Sequence, residues 1–314
     1  MALTISQGLA ISFPAIQKKK AENQWAESAL MHEMDRQGGI KTKALGSTIE
    51  APLDYQRNPG TAFLATELQA HSMNKTEVVT AASYTPAELV VPMVWSYRDE
   101  ALNTEETQKV DLIDTIANNG LDSHDDFLEQ YLFSTSTNGF LGLQTHITFA
   151  GTGSDGGIDS SVNTFWRNQT ATYIDDTDIE SAFTTVWNQC AKGSGSKLMP
   201  TLMVSDASTQ SLFEGTQQAN QRWVDTDELK AGFKILGFKT CRFVFSLYSG
   251  NFGATYFLNM KSFNLTVAKG FFRKKDEAAP IQNATGYVSR LYSALQTVVD
   301  NRSRLGIAAK TGAV

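Results

Sequence analysis

The chain has 314 residues, 41% of them hydrophobic, and a formal net charge of −6. That length and apolar content suffice for one large or two modest domains with a real core. The acidic balance argues against a dedicated nucleic-acid binder, whose basic face would show in the total. The small basic clusters, Lys18-Lys19-Lys20, Arg273-Lys274-Lys275 and Arg302 with Arg304, read as solvated surface. Cys190 and Cys241 form no CxxC pair and fit free thiols in a reducing compartment. No run is long enough to span a bilayer, and the N-terminus lacks the basic n-region and small-residue cleavage pattern of a secretory signal. A soluble protein is expected, so the Asn-x-Thr triplets at Asn74, Asn168 and Asn264 carry no weight.

In chain order, Pro14 to Gln37 reads as a helix: Ser12 can cap it, Pro14 suits its first turn and Gly38-Gly39 end it. From Ile40 to Asn103 the sequence turns to Thr, Val, Ala and Tyr, with prolines at 52, 59, 86 and 92. This reads as strands and turns with too few large apolar side chains to build a core. Asn58-Pro59-Gly60 is a strong turn signal. Ser83 to Trp95, carrying Pro86 and Pro92, belongs at a sheet edge or outside a sheet. A hairpin arm of about 20 residues a side would reach roughly 65 Å. In an isolated monomer it would be wet on both faces and marginal. Such a ribbon must lie against something else, and another copy of the chain is the expected partner.

Thr104 to about Ser134 repeats apolar residues at helical spacing: Val110, Ile113, Ala117, Leu121, Leu128, Tyr131 and Leu132. Gly120 in its middle costs roughly 1 kcal/mol against alanine and predicts a kink or a break into two helices. Gly139 to Gly157 is glycine-rich and contains a strand at Leu143–Phe149. Asp178 opens a helix with Ile179, Phe183, Val186, Trp187 and Cys190 on one face. Leu198–Val204 reads as a short buried strand and Ser208–Gln221 as a helix. Strands come next at Phe238–Ser246, Ala254–Asn259 and Phe263–Lys269, and Gly286–Thr311 is one long β-type run. No internal repeat or low-complexity linker divides the chain.

Gly151-Thr152-Gly153-Ser154-Asp155-Gly156 has GxGxxG spacing, but Gly157-Ile158-Asp159-Ser160 after it is a poor helix start and no βαβ series surrounds it. A flexible loop is expected rather than a dinucleotide cradle. His32, His71, His124 and His146 form no HxxxH or HExxH pair and read as surface or arm residues, not metal ligands. Asp122, Asp125, Asp126 and Glu129 form an acidic helix face, expected to be solvated or to meet a basic face on a neighbouring subunit. Neither a GxSxG elbow nor a GxxxxGK[ST] loop is present. The sequence thus offers no catalytic, cofactor-binding or metal-binding residue, and a protein without enzymatic activity or cofactor is expected. The aromatics, concentrated from Phe140 onward, read as core with some subunit interface.

This order of parts, together with the segment Gly156-Gly157-Ile158-Asp159 … Asn163 … Trp166-Arg167-Asn168, resembles the major capsid proteins of tailed double-stranded-DNA bacteriophages, the Hong Kong ninety-seven fold. The resemblance implies an α+β fold with an N-terminal arm (1–39), an extended E-loop hairpin (40–95), a peripheral P domain (96–150 and 286–314) and an axial A domain (151–285). The P domain would hold the spine helix (104–134) and the closing strands. It implies self-assembly through pentamers and hexamers into an icosahedral head shell that encloses double-stranded DNA. The E-loop of one subunit would lie over the P domain of the next, in heterologous interfaces that close by rotation. Implied partners are the chain itself, a separate scaffolding protein (residues 1–39 leave little room for a cleaved one), a portal protein and, optionally, decoration proteins. No membrane is involved; the implied location is the virion, reached from the host cytoplasm. Certain family members crosslink an E-loop lysine to a neighbour's asparagine. Lys41, Lys43, Lys75 and Asn301 stand in the matching regions without a pattern that singles one out. An encapsulin-like nanocompartment shell shares this fold and is the alternative. A soluble nucleotide-binding enzyme using Gly151–Gly157 is the third reading.

Overall fold

The computed structural model describes residues 29–63, 65, 77–102, 106–192, 199–217, 236–249 and 253–312. The helix expected from Pro14 is therefore seen as Ala29–Arg36. Its earlier part, the ribbon tip with His71 and Lys75, and the end of the helix expected to reach Gln221 lie outside the described residues. The described chain divides into two compact units, a smaller one of residues 89–128 and 273–293 and a larger one of residues 29–88, 129–272 and 294–312.

The larger unit is built on a six-stranded sheet in the order Leu236–Phe238, Cys241–Phe245, Leu202–Ser205, Ala254–Leu258, Gly306–Lys310, Gln169–Tyr173. Leu202 lies opposite Arg242 in a parallel pair and opposite Leu258 in an antiparallel one. Side chains alternate between the two faces of a sheet. On one face Met203, Phe243, Phe257 and Ala308 join residues of helix Asp176–Cys190 and helix Ala207–Gln217 in a single buried cluster. Phe183 is its centre, with the rings of Phe213, Phe257, Phe238 and Phe243 at 5.3, 5.6, 6.0 and 6.1 Å. Three of these four contacts are edge-on, the arrangement that ring quadrupoles favour. The helix starts before Asp178 because Asp175 caps it, its carboxylate accepting the Thr177 N–H at 2.9 Å. Gly306 allows the helix to approach its strand: a Cβ there would come within 2.5 Å of Val186 Cγ1 and 2.8 Å of Cys190 Sγ.

By alternation Arg242 belongs to the opposite face, and there it reaches the helix Ala29–Arg36. Its guanidinium lies 3.2 Å from Glu33, which also meets Arg36 at 3.2 Å and accepts the Gln37 side-chain amide at 3.1 Å. Glu33 is buried, and these three partners compensate the desolvation of its charge.

Cys190 and Cys241 are free thiols buried in the aromatic cluster. Burial pushes the Cys241 thiol up to about 12 and raises Cys190 as well. Since the thiolate is the reactive species, a thiol reagent at mildly alkaline pH should leave both unmodified in the folded chain. Both should be labelled in denaturant. Rapid labelling of either one in the native chain would contradict this packing.

A second set of strands completes the larger unit. Ile40–Lys43 runs parallel to Phe263–Ala268, which pairs antiparallel with the Leu295–Val299 end of strand Gly286–Val299. The terminal run expected as one β segment is broken by a 3-10 turn at Arg302–Arg304, and strand Gly306–Lys310 joins the six-stranded sheet instead. Asn301 makes the break by accepting the Ser303 N–H at 3.1 Å. Leu143–Phe149, expected as a strand, starts with a single helical turn, Leu143–His146. Leu143 and Ile147, four residues apart, are both buried, which is the spacing of one helical face.

In the smaller unit, strand Ala87–Ser96 pairs with strand Gly286–Val299. Lys274–Lys275 and Ala279–Pro280 pair with the Tyr287–Tyr292 stretch of that same strand. Among the described strands Ala87–Ser96 pairs on one side only, and Pro92 points to its exposed face, as a proline-bearing strand requires. Helix Glu106–Leu132 runs through Gly120 without the expected break. Gly120 serves packing: a Cβ there would sit 2.8 Å from Met93 Sδ.

Candidate assembly site and its buried anchor

The described root of the ribbon pairs Ile49–Asp54 with Val79–Tyr84, Ile49 opposite Tyr84 and Asp54 opposite Val79. Alternation divides it cleanly. Ile49, Ala51, Leu53, Ala82 and Tyr84 are buried, whereas Glu50, Pro52, Asp54, Val79, Ala81 and Ser83 are exposed. The expectation of a ribbon wet on both faces fails here, because the inner face lies on its own chain. Ser83 N–H donates to Gly156 O at 2.9 Å, and the Tyr55 ring stacks on Phe165 with centroids 4.4 Å apart. The small residues that make the segment a poor core former are what let it lie flat on a glycine turn. The outer face stays open, with Val79 61% exposed. Removing the stack with Tyr55→Ala should weaken the root by about 1 kcal/mol. Hydrogen exchange of the 79–84 amides should rise while the global denaturation midpoint moves little; unchanged exchange would show the stack to be idle.

The loop beneath the ribbon is Gly151–Gly157. It forms a two-residue hairpin, Ser154–Asp155 with Ile158–Asp159, and the next helical element is the three-residue turn Thr164–Trp166. No helix N-terminus stands ready for a pyrophosphate. Nor is the loop slack, as expected from its glycines. Gly153 O accepts the Ser160 N–H at 3.1 Å and its hydroxyl at 2.8 Å, and the Thr148 hydroxyl donates to Thr152 O at 2.7 Å. The Trp-Arg-Asn run braces it further. Trp166 is fully buried with its Nε1–H on Asp155 O at 3.0 Å. Arg167 Nε donates to Ser160 O at 3.0 Å, and Asn168 Nδ2 to Thr148 O at 2.8 Å.

Two of the histidines correct the reading of surface residues. His32 is exposed, but His124 and His146 are completely buried. In the larger unit, His146 Nδ1 lies 2.9 Å from Asp155 Oδ1 and its Nε2 lies 2.8 Å from Thr297 Oγ1. Arg302, expected on the surface, is also completely buried. Its Nε donates to His146 O at 2.6 Å, Nη1 to Gly153 O and Ser160 Oγ at 3.0 Å each, and Nη2 to Thr148 Oγ1 at 3.3 Å. The Tyr84 hydroxyl faces Asp155 Oδ2 and Val299 O, both at 3.4 Å. Burial first, and the Asp155 charge second, push that phenol far above its usual range. One cluster thus joins the ribbon root, the glycine loop, the Leu295–Val299 strand end and the terminal turn.

In the smaller unit, His124 Nδ1 lies 3.0 Å from Asp125 Oδ1 and Nε2 lies 2.9 Å from Ser293 Oγ. Arg273 Nη2 reaches the same Asp125 oxygen at 2.5 Å. Burial pulls the Asp125 carboxyl up, but the His124 hydrogen bond and the Arg273 charge outweigh it and hold it below the usual carboxylate range. In the larger unit Glu129 is buried and accepts the Ser246 hydroxyl at 2.6 Å. The acidic face of the long helix is therefore internal at Glu129, and at the half-buried Asp125 it is engaged by His124 and Arg273 of the same chain. Both histidine clusters have the hydroxyl–imidazole–carboxylate order of a nucleophile-activating set. Here the hydroxyls of Ser293 and Thr297 are wholly buried and tie strand to helix or loop.

Of the resemblance-based crosslinking candidates, two are engaged otherwise: Lys41 Nζ lies 3.6 Å from Asp300 Oδ2, and Asn301 caps the terminal turn. Among the described residues no His, Cys, Asp and Glu group could hold a metal ion, and no helix is long and apolar enough to cross a membrane. Sequence reading missed the His146, Asp155, Arg302 and Tyr84 cluster; its one sequence signal was the conjunction of the glycine turn with Trp166-Arg167-Asn168.

No family model and no curated protein matches the sequence. Solved structures match the fold over nearly the whole chain. A capsid chain of cyanophage A-1(L) superposes with a TM-score of 0.62 at 15% identity, covering 96% of this chain and 98% of that one. A capsid chain of the Myoviridae phage XM1 gives 0.61 at 11% identity, covering 98% and 99%. The SrpI encapsulin of Synechococcus elongatus PCC 7942 gives 0.61 at 8% identity, covering 98% and 96%. The chain has the mixed α+β fold of phage capsid proteins, a fold that an encapsulin shares.

Proposed function

We propose that the chain is the major capsid protein of a tailed double-stranded-DNA phage, a subunit that assembles into a closed icosahedral head. The observation that carries this reading is the fold match to phage capsid chains at both ends of the alignment, with nothing large left over on either side. On this reading the ribbon within 40–95 is the E-loop, helix Glu106–Leu132 is the spine helix of a Hong Kong ninety-seven-type P domain, and the six-stranded sheet is the body of the A domain. The open outer face of the ribbon supports a partner outside the subunit. Pentamers and hexamers of the chain itself, a separate scaffolding protein, a portal and optional decoration proteins would complete the head. DNA would be held by enclosure, which suits a chain of net charge −6, and no catalytic step belongs to this role.

The encapsulin likeness supports a second reading, a cellular compartment loaded with protein cargo. Electron microscopy of the chain co-expressed with its scaffold should show icosahedral particles of megadalton mass. Particles filled with DNA favour the phage reading, and particles filled with a cargo enzyme favour the compartment. A compact monomer under every assembly condition would sink both. Deleting residues 58–74 tests the ribbon separately: folded but assembly-defective protein is expected, and normal assembly would show the E-loop to be misplaced.

A further inference from the structure

We propose that strand Gln169–Tyr173, one edge of the six-stranded sheet, takes strand Leu236–Phe238 of a second copy and so continues the sheet from subunit to subunit. Which peptide groups are free follows from the bonds already made. The Gln169 N–H donates to Leu305 O and Tyr173 O accepts the Thr311 N–H, so the odd-numbered residues face the neighbouring strand Gly306–Lys310. The peptide groups of Thr170 and Thr172 therefore point outward. Thr170 is sheltered by the glycine loop, its Cγ2 lying 3.6 Å from where a Cβ on Gly151 would stand. Thr172 is exposed, and Ile174, just past the strand, is 66% exposed.

A bare edge is a hazard that folded chains blunt with proline, lysine or a covering segment. This chain does so elsewhere. Ile40–Lys43 carries Lys41 and Lys43, Ile49–Asp54 carries Pro52 and Ala87–Ser96 carries Pro92, while Val79–Tyr84 is tied to Gly156 O through Ser83. Gln-Thr-Ala-Thr-Tyr has neither charge nor proline, and among the described strands it pairs on one side only. An edge left bare in a chain that blunts its others marks a place for a partner.

The other end of the same sheet supplies that partner. Among the described strands Leu236–Phe238 also pairs on one side only, antiparallel to Cys241–Phe245. Gly237 lies opposite Arg242, whose N–H turns the other way, to Thr201 O. The Gly237 peptide groups thus point outward, as those of Thr172 do, and a Cβ there would meet nothing within 4 Å. Direction fits as well. Across the sheet the chain direction reverses at the pairs joining 236–238 to 241–245, 202–205 to 254–258 and 254–258 to 306–310. Strands 169–173 and 236–238 therefore run in opposite senses. A copy carried round by rotation about an axis along the strands sets its Gly237 opposite Thr172 in an antiparallel pair. The contact uses two different edges, so it is heterologous and can close into a ring. Here the inference rests on the proposed function, and it names the surface through which pentamers and hexamers would form.

The test uses the full chain co-expressed with its scaffold. Directly opposed residues in such a pair have Cα atoms about 5.5 Å apart, within disulfide reach. Thr172→Cys combined with Gly237→Cys, treated with oxidised glutathione after assembly, should give a ladder of disulfide-linked chains that ends at the ring size. Each single variant should give no ladder. With six strands in the sheet, the two sites within one chain lie five spacings, about 24 Å, apart, so the links must join copies. Cys190 and Cys241 are buried and stay out of the reaction. Thr172→Pro, which removes an outward N–H, should lower the particle yield roughly tenfold or more at an unchanged urea midpoint. If that variant does not fold, Thr172→Lys blunts the edge with the backbone intact and should lower the yield likewise. Normal yield from the blunted variant, or particles without the ladder, would overturn the edge pairing and leave the shell standing. A chain that stays monomeric under every assembly condition overturns both.

Discussion

Replacing Arg302 with methionine is expected to destabilise the unassembled chain by about 3–5 kcal/mol, read as a drop in the urea midpoint with an unchanged slope. Methionine fills a similar volume, so the effect isolates the guanidinium. Four acceptors on three segments take hydrogen bonds from it: His146 O, Gly153 O, Ser160 Oγ and Thr148 Oγ1. Gly153 O keeps its bonds from Ser160, but His146 O would lose the Arg302 donor in a site without solvent access. Burial disfavours the charge more than the nearby Asp155 supports it, and removing the cation also leaves the Asp155 charge without that attraction. Arg302→Lys should cost less, since a point donor keeps the charge but cannot span the fork of acceptors. A loss below about 1 kcal/mol in the methionine variant would mean that the segments hold one another without the arginine.

Where a single element carried its own pattern, the sequence was readable. The helix at Asp176–Cys190 shows its apolar stripe at helical spacing, though its Asp175 cap lies three residues ahead of the expected opening at Asp178, and the aromatic cluster follows from that stripe. The ribbon root was legible as strand, but not its period-two burial or what its inner face rests on. The buried anchor was not readable, for a physical reason. His146 and Thr297 are 151 residues apart, and Arg302 and His146 are 156 apart. No local periodicity links them, and each taken alone has a bland surface reading. The same limit misplaced Arg302: a basic residue at a strand end is solvated by default, and only the 3-10 turn capped by Asn301 turns it inward. Gly120 was misread because its local cost was weighed without Met93, which needs the space.

The Gly156 turn is where local and long-range demands meet, and its substitution should be the second large effect. Gly156→Ala is expected to cost about 2–4 kcal/mol and to release the ribbon root. Gly156 has φ +58, a left-handed conformation, and an added Cβ would lie 2.6 Å from Ala82 Cβ and 3.0 Å from the Tyr84 ring. Ala82 cannot retreat, because its Cβ is fixed to the ribbon backbone and the residue is wholly buried. The ribbon must lift instead, which breaks the Ser83–Gly156 hydrogen bond. Two variants separate the causes. Gly157 has φ +80 with nothing within 4 Å of an added Cβ, so Gly157→Ala should show the backbone term alone, about 1 kcal/mol. Adding Ala82→Gly to Gly156→Ala removes the nearest clashing atom and should recover part of the loss, a coupling that independent sites would not show. Denaturation midpoints and exchange of the 79–84 amides read both terms. If Gly156→Ala and Gly157→Ala cost the same, the ribbon does not press on the loop. If Gly156→Ala unfastens the ribbon while the six-stranded sheet stays protected, this turn is the fixed point from which the ribbon extends, and in a shell its failure should stop assembly before it stops folding.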